Sequence, residues 1–209
     1  MTTEIEHIDT VALEELELAG HVLHPNAKTV RLIQDKFLQK QHFEEHQIPL
    51  PEYMVTPTIE AAREAGVTFG YPFMLKNRKF AYDGKGNAVV KSEETLVEAY
   101  NQLSGGKSSI DGDSGLYAEK WVPFAKELAV MVVRTLEGRV ISYPVVETVQ
   151  YNNICHIVTA PALISPAAAQ VAMKVAKAAV ACLIGVGIYG VELFLLNDDT
   201  CVLNEIAPR

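Results

Sequence analysis

Cysteine is scarce. The 209 residues contain three, Cys155, Cys182 and Cys201, with no CxxC spacing and no nearby histidine pattern suited to zinc, although His156 adjoins Cys155. They read as buried, reduced thiols of a cytosolic protein, which excludes a disulfide scaffold. Long apolar runs are also missing. The longest uncharged one, residues 178–191, is interrupted by Gly185, Gly187 and Gly190 and is too short to cross a bilayer. The N-terminus is acidic and has no basic stretch followed by an apolar one, so no signal peptide is expected. Positive charge is in deficit, with 18 Lys and Arg against 26 Asp and Glu, a net −8. A broad nucleic-acid-binding face is therefore not expected. Polar tails are missing too. The chain opens on a strand-like segment and stops just after another, so it reads as a piece of a longer protein.

What is present is core material, since 49% of the residues are hydrophobic. That suffices for one large or two small domains. Against the acidic background, one stretch is basic. Residues 71–75 read as a buried strand and residues 88–91 as its return. The tip between them carries Lys76, Arg78, Lys79 and Lys85 together with Gly84 and Gly86. Glycines let a backbone approach a ligand closely, and their N–H groups suit phosphate. The spacing is neither a P-loop nor a dinucleotide fingerprint. On this loop alone a solvated hairpin tip is an equal reading.

Two carboxylates form a second signal. Glu192 interrupts the apolar strand 188–195, and Glu205 interrupts its partner 200–206. A buried carboxylate is costly unless it is paired or binds a metal. Two on adjacent strands, with Asn204 beside them, make an oxygen-rich site suited to Mg²⁺. The alternative is one salt bridge and one exposed glutamate. A third signal is Asp35, a helix cap, followed by Lys36 in the first turn. A cation there opposes the helix dipole unless an anion sits in front of it. Glu119, Lys120 and Val122 end one strand and could line a planar heterocycle. Glu127 opens the long apolar strand that follows.

The remaining pattern alternates helices and strands. Residues 2–8 alternate like a half-buried strand, which puts Glu4 and Glu6 on one face. Thr10 caps a helix to Leu18, and Val22 and Leu23 form a short strand. The helical stretch 29–46 is interrupted at Asp35, with Phe37, Leu38 and Phe43 inward. Residues 53–55 form a strand, and Thr58 caps a helix that Gly66 stops. Ser92 caps residues 93–103, and 104–115 form a loop. Residues 140–149 and 154–158 complete an antiparallel meander, turning at 151–153. Ser165 and Pro166 start a helix to about Leu183, with Val171, Val175, Ala178 and Cys182 inward.

Taken in order, these segments resemble the ATP-grasp superfamily. Within it they are similar to carboxyaminoimidazole ribonucleotide synthetase, the ATP-dependent domain of fungal-type phosphoribosylaminoimidazole carboxylase. The likeness rests on Thr3 to His7, Asp35-Lys36, Lys76 with Tyr82-Asp83-Gly84-Lys85-Gly86, Ala118 to Val122 with Glu127, Val191 to Phe194, and Asn204 to Arg209. It implies an α+β ATP-grasp fold, two subdomains whose antiparallel sheets grip ATP. Residues 1–26 would be the remnant of an N-terminal nucleotide-fold domain. Residues 27–209 would be the ATP-grasp domain, with a smaller lid at about 52–120 and a truncated C-terminal end.

The resemblance also implies roles. Lys36 and Lys76 would contact ATP phosphates, and residues 82–86 would close over them. Glu119, Lys120 and Val122 would surround adenine, with Glu127 on the ribose and Asn204 beside the nucleotide. Glu192 and Glu205 would hold Mg²⁺, with Mn²⁺ as a substitute. Glu4, Tyr82, Asp83 and Lys85 would serve the acceptor chemistry. The implied reaction is ATP-dependent carboxylation of aminoimidazole ribonucleotide by bicarbonate, through carboxyphosphate, in purine biosynthesis. The parent would be a cytoplasmic homodimer that meets neither nucleic acid nor membrane. Relatives carry two glycines in place of Phe80-Ala81 and continue beyond Arg209, so this segment alone is not expected to complete the reaction. Two other classes stay open: another ATP-grasp carboxylate–amine ligase or carboxylase, and a nucleotide-binding scaffold without chemistry. A plain α+β domain is a third.

Overall fold

The computed structural model describes residues 1–79, 86–105, 114–151 and 154–209. Its elements in chain order are α1 (Thr10–Leu18), α2 (Ala27–Gln34), α3 (Lys36–Glu45), β1 (Tyr53–Val55), α4 (Ile59–Phe69), β2 (Phe73–Asn77), β3 (Asn87–Val90) and α5 (Glu93–Ser104). They continue with β4 (Leu116–Lys120), β5 (Lys126–Arg134), β6 (Val140–Ser142), β7 (Val146–Tyr151), β8 (Ile154–Thr159), α6 (Pro166–Ala181), β9 (Gly187–Leu195) and β10 (Cys201–Pro208). The architecture is α+β with two antiparallel sheets, as expected. The chain divides into two units, one made of Met1–Leu50, Pro123–Tyr151 and Cys155–Arg209, the other centred on Pro51–Val122.

In the first unit the sheet order is β10-β9-β5-β7-β8, with β6 also pairing with β5. Alternation along β5 and β9 sends Leu128, Val130, Val132, Tyr189, Val191, Leu193 and Leu195 to one face. There they meet Ala172, Ala176, Ala179 and Val180 of α6, together with Ile33 of α2 and Phe43 of α3. Small alanines let α6 lie close to the sheet. The first turn of α3 is fixed to β10 by the buried Gln39: its Nε2 donates to the Ile206 carbonyl at 3.0 Å, and the Ile206 N–H donates to its Oε1 at 3.0 Å. A smaller cluster of Leu13, Leu23, Ala27 and Val30 joins α1 to α2.

In the second unit the sheet order is β1-β4-β2-β3. One face packs Phe73, Leu75, Leu116 and Ala118 against Ala62, Ala65, Leu96 and Ala99 of the two helices. The register Met74↔Glu119 and Lys76↔Tyr117 puts Lys76 and Glu119 on the opposite face.

Several local expectations are corrected. Residues 2–8 form no strand; a single bridge joins Thr2 to His24, so their alternation has no ladder to serve, and 22–23 form none either. Asp9, not Thr10, caps α1, accepting from the Val11 N–H at 2.8 Å. On α3 Leu38 faces solvent, and Lys36, Gln39 and Lys40 turn inward with Phe43, because polar partners await them there. α4 runs through Gly66 to Phe69 and ends at Gly70, whose φ of 76° suits a residue without a side chain. The stretch 140–149 splits into β6 and β7 around Pro144, which has no N–H for a ladder. On α6 Val171 and Ala178 are exposed, and Ala168, Ala172, Ala176, Ala179 and Val180 face the core beside Val175. Cys155 is exposed. Phe80 to Lys85, most of the loop at 104–115 and the turn residues 152–153 lie outside the described residues.

Candidate active site

The outer face of the first unit's sheet carries the carboxylates. β9 and β10 pair Glu205 with Glu192, and β5 pairs Ala129 with Glu192 and Glu127 with Phe194. Paired strand residues share a face, so Glu127, Glu192 and Glu205 point the same way. The register shifts between Leu203 and Glu205. One extra residue there lets Leu203 and Ile206 both reach the core although they are an odd number of places apart, and it sets Asn204 beside Glu192. A bulge of this kind re-aims side chains. Asn204 Nδ2 lies 3.5 Å from Glu192 Oε2. Phe194 stacks on Phe124 at 4.7 Å, forming an apolar wall on the Glu127 side.

Like charges on facing strand positions repel. Burial first, then Glu205, pushes the Glu192 carboxyl up to about 7; Glu127 adds to this, while Lys36 and Arg209 oppose it. Arg209 reaches this face across Gly190, where an added Cβ would lie 3.4 Å from its Nε.

Lys36 balances part of the charge. Asp35 fixes it at the start of α3 by accepting from the Phe37 and Leu38 N–H groups, both at 3.1 Å. Its Nζ lies 3.1 Å from Glu6 and 3.4 Å from Glu205, and its side chain is only 7% exposed. Burial alone would lower its pKa, but Glu205 and Glu6 outweigh burial and raise it, so it stays charged. Glu6 and Glu205 thus hold one buried lysine, whose charge, with that of Arg209, also acts on Glu192. The side-chain oxygens of Glu192 and Glu205, with Asn204 beside them, are hard donors of the kind that suits Mg²⁺.

In the second unit Lys76 Nζ lies 2.7 Å from Glu119 Oε2, and both side chains are nearly buried. Lys120 pairs with Glu52 at the strand end, and Val122 is half-buried beyond it. Gly86 has a φ of 117° and its carbonyl accepts from the Asn77 N–H at 2.7 Å. Tyr82, Asp83, Gly84 and Lys85 lie outside the described residues. Glu4 is exposed. Glu6, two residues on, is the acidic partner of Lys36. Sequence reasoning missed the bulge, whose signal was the broken parity of Cys201, Leu203 and Ile206.

Residues 41–209 match the model of the ATP-grasp domain family. The phosphoribosylaminoimidazole carboxylase of Schizosaccharomyces pombe is 49% identical over 210 residues, covering all of this chain and 36% of that relative's length. The chain thus spans about a third of the carboxylases it matches and about half of the N5-carboxyaminoimidazole ribonucleotide synthase of Synechococcus elongatus. A carboxyaminoimidazole ribonucleotide synthase from Aspergillus clavatus, solved with ATP, superposes with a TM-score of 0.89 at 45% identity, over 99% of this chain and 52% of that one. The N5-carboxyaminoimidazole synthase of the same organism, solved with ADP and 5-aminoimidazole ribonucleotide, gives 0.87 at 44%, with the same coverage. A family match over most of the chain, on a fold of two antiparallel sheets with paired carboxylates, makes this chain a member of the ATP-grasp family.

Proposed function

We propose that this chain is the ATP-binding portion of an enzyme that carboxylates aminoimidazole ribonucleotide with bicarbonate in purine biosynthesis. The observation that carries the reading is the carboxylate face, where Glu192 and Glu205 meet across a bulge with Lys36 buried against them. The Aspergillus relatives, solved with ATP and with ADP plus the ribonucleotide, support the substrate assignment.

In this reading Glu192 and Glu205, with Asn204 beside them, hold Mg²⁺ or Mn²⁺, and the ion supplies charge neutralisation at the nucleotide phosphates. Lys36 and Lys76 bind those phosphates as fixed cations, and Gly84 and Gly86 let the loop backbone approach them. Glu119, Lys120 and Val122 hold the adenine, and Glu127 accepts from the ribose hydroxyls. A bicarbonate oxygen attacks the γ-phosphorus and ADP leaves, giving carboxyphosphate. Its C–O bond to phosphate breaks, and the amine nitrogen of the ribonucleotide bonds to the released CO₂ and loses a proton. Glu4, Tyr82, Asp83 and Lys85 orient that acceptor. Chain residues contribute position and charge, and exclusion of water protects the labile intermediate.

Among the described residues no helix is long and apolar enough to cross a membrane. A cytoplasmic homodimer is part of the proposal. The test is phosphate release from ATP by the protein carrying this segment. Release should require both bicarbonate and aminoimidazole ribonucleotide and be lost in Glu205→Gln. Release driven by a different amine or acid would move the protein to another ATP-grasp ligase. Nucleotide binding without any turnover would make it a scaffold.

A further inference from the structure

We propose a second cation site, for a zinc-class transition metal, formed by His42, His46 and Cys182. All three belong to the first unit. His42 and His46 are four residues apart on α3, so they share a helix face, and their ring centroids lie 4.4 Å apart. Cys182 caps the C-terminus of α6. One donor atom from each of the three lies within 4.8 Å of the other two. The pair His42 and Cys182 is separated by 140 positions in sequence, so no local histidine–cysteine spacing announces the cluster.

The hydrogen bonds around the rings favour a ligand. His42 Nε2 lies 3.1 Å from the Cys182 carbonyl oxygen, and His46 Nδ1 lies 2.8 Å from the His42 carbonyl oxygen. A carbonyl only accepts, so each of these nitrogens carries its ring's proton. That leaves the lone pairs of His42 Nδ1 and His46 Nε2 available. Histidines that ligate metals are held this way, with the other ring N–H donated to a carbonyl or carboxylate. Burial lowers the His42 pKa; the hydrogen bond to the Cys182 carbonyl and, less strongly, Glu45 oppose it, while His46 and Lys28 act with burial.

The thiol supplies the third donor. Cys182 Sγ donates to the Ala179 carbonyl at 3.0 Å, and burial holds its pKa up to about 11. Arg134, which donates to the Ala181 carbonyl at 2.6 Å, favours the thiolate. Metal uptake therefore displaces the thiol proton. Two imidazoles and a thiolate are too soft a set for magnesium and suit zinc, with water in the fourth tetrahedral position. Bonds of about 2.0–2.3 Å bring tetrahedral donors to roughly 3.5 Å from one another. His46 is exposed at the helix end, so a small tilt of its ring that keeps the Nδ1 hydrogen bond can close the cluster. Occupied, the site fastens the C-terminal ends of α3 and α6 together. Lys36 stands at the other end of α3, about 9 Å along the axis from His42 and about 15 Å from His46, so this cation is not the one at the carboxylates.

The test is titration of the chelator-stripped, full 209-residue chain with Zn²⁺, and with Co²⁺ as a spectroscopic probe. One Zn²⁺ per chain is expected, and Co²⁺ should produce a near-ultraviolet thiolate-to-cobalt band with strong tetrahedral bands in the visible. Removing the exposed ring in His46→Ala should weaken Zn²⁺ by at least about tenfold. Cys182→Ser should abolish the charge-transfer band. Cys155→Ala, which removes the exposed thiol beside His156, should change neither. The proposal is overturned by absence of uptake, by unchanged affinity in His46→Ala, or by a charge-transfer band that disappears in Cys155→Ala and persists in Cys182→Ser.

Discussion

Replacing Glu192 by glutamine should stabilise the metal-free chain, although it removes a residue assigned to metal binding. Glu192 faces Glu205 across the β9–β10 pair and is pushed up to about 7 by burial and by that neighbour. The folded chain therefore holds this proton more tightly than the unfolded chain does. Between the ordinary carboxyl value of 4.5 and about 7, the folded state binds more protons, so stability falls as pH rises and stays low above that window. At about 1.4 kcal/mol for each tenfold change, the ionised carboxylate costs about 3 kcal/mol at pH 8. Glutamine keeps the shape and has no charge to bury. Urea unfolding followed by far-ultraviolet circular dichroism, without metal, should show Glu192→Gln more stable by up to about 3 kcal/mol at pH 8, with the gap nearly closed at pH 5. Adding Mg²⁺ should raise the stability of the wild type and leave the variant unchanged. A variant no more stable than wild type at pH 8 would refute the reasoning, because Glu192 would then be a satisfied structural carboxylate.

Lys36→Met removes the buried cation from Glu6 and Glu205 and should cost about 3 kcal/mol or more at pH 8, read by the same unfolding curves; a neutral result would mean that the pair is solvated. Asp35→Ala should cost about 1 kcal/mol through loss of the α3 cap and should also weaken ATP binding by freeing Lys36, as calorimetry would record. Mg²⁺ affinity should rise with pH up to about 7 and then level, since binding needs the ionised Glu192. Calorimetry in buffers of different ionisation heat should find proton release near pH 6 and none well above neutrality.

Much of the candidate site was legible because polar residues stood out where the pattern demanded apolar ones. Glu192 and Glu205 interrupt apolar strands, and Asp35 with Lys36 marks a helix start that breaks the dipole rule. The misreadings have physical causes. Residues 2–8 alternate as a strand does, yet only Thr2 finds a bridge, so pattern without a partner gave no ladder. Helix α6 is so rich in alanine that its inward stripe offers little contrast with its outward one, which moved the expected face. β8 is apolar in sequence but exposed, with Ile154, Ile157 and Val158 all open, so Cys155 could not be placed by hydrophobicity. The His42, His46 and Cys182 cluster depends on helix ends far apart in the chain, which spacing rules do not join.

The most direct test of the ATP-grasp assignment is calorimetric titration of the chain with ATP, with and without Mg²⁺, beside Glu205→Gln. Magnesium-dependent binding that weakens sharply in the variant is the expected result. Binding of ATP that is indifferent both to magnesium and to Glu205 would contradict the placement of the metal at the paired carboxylates.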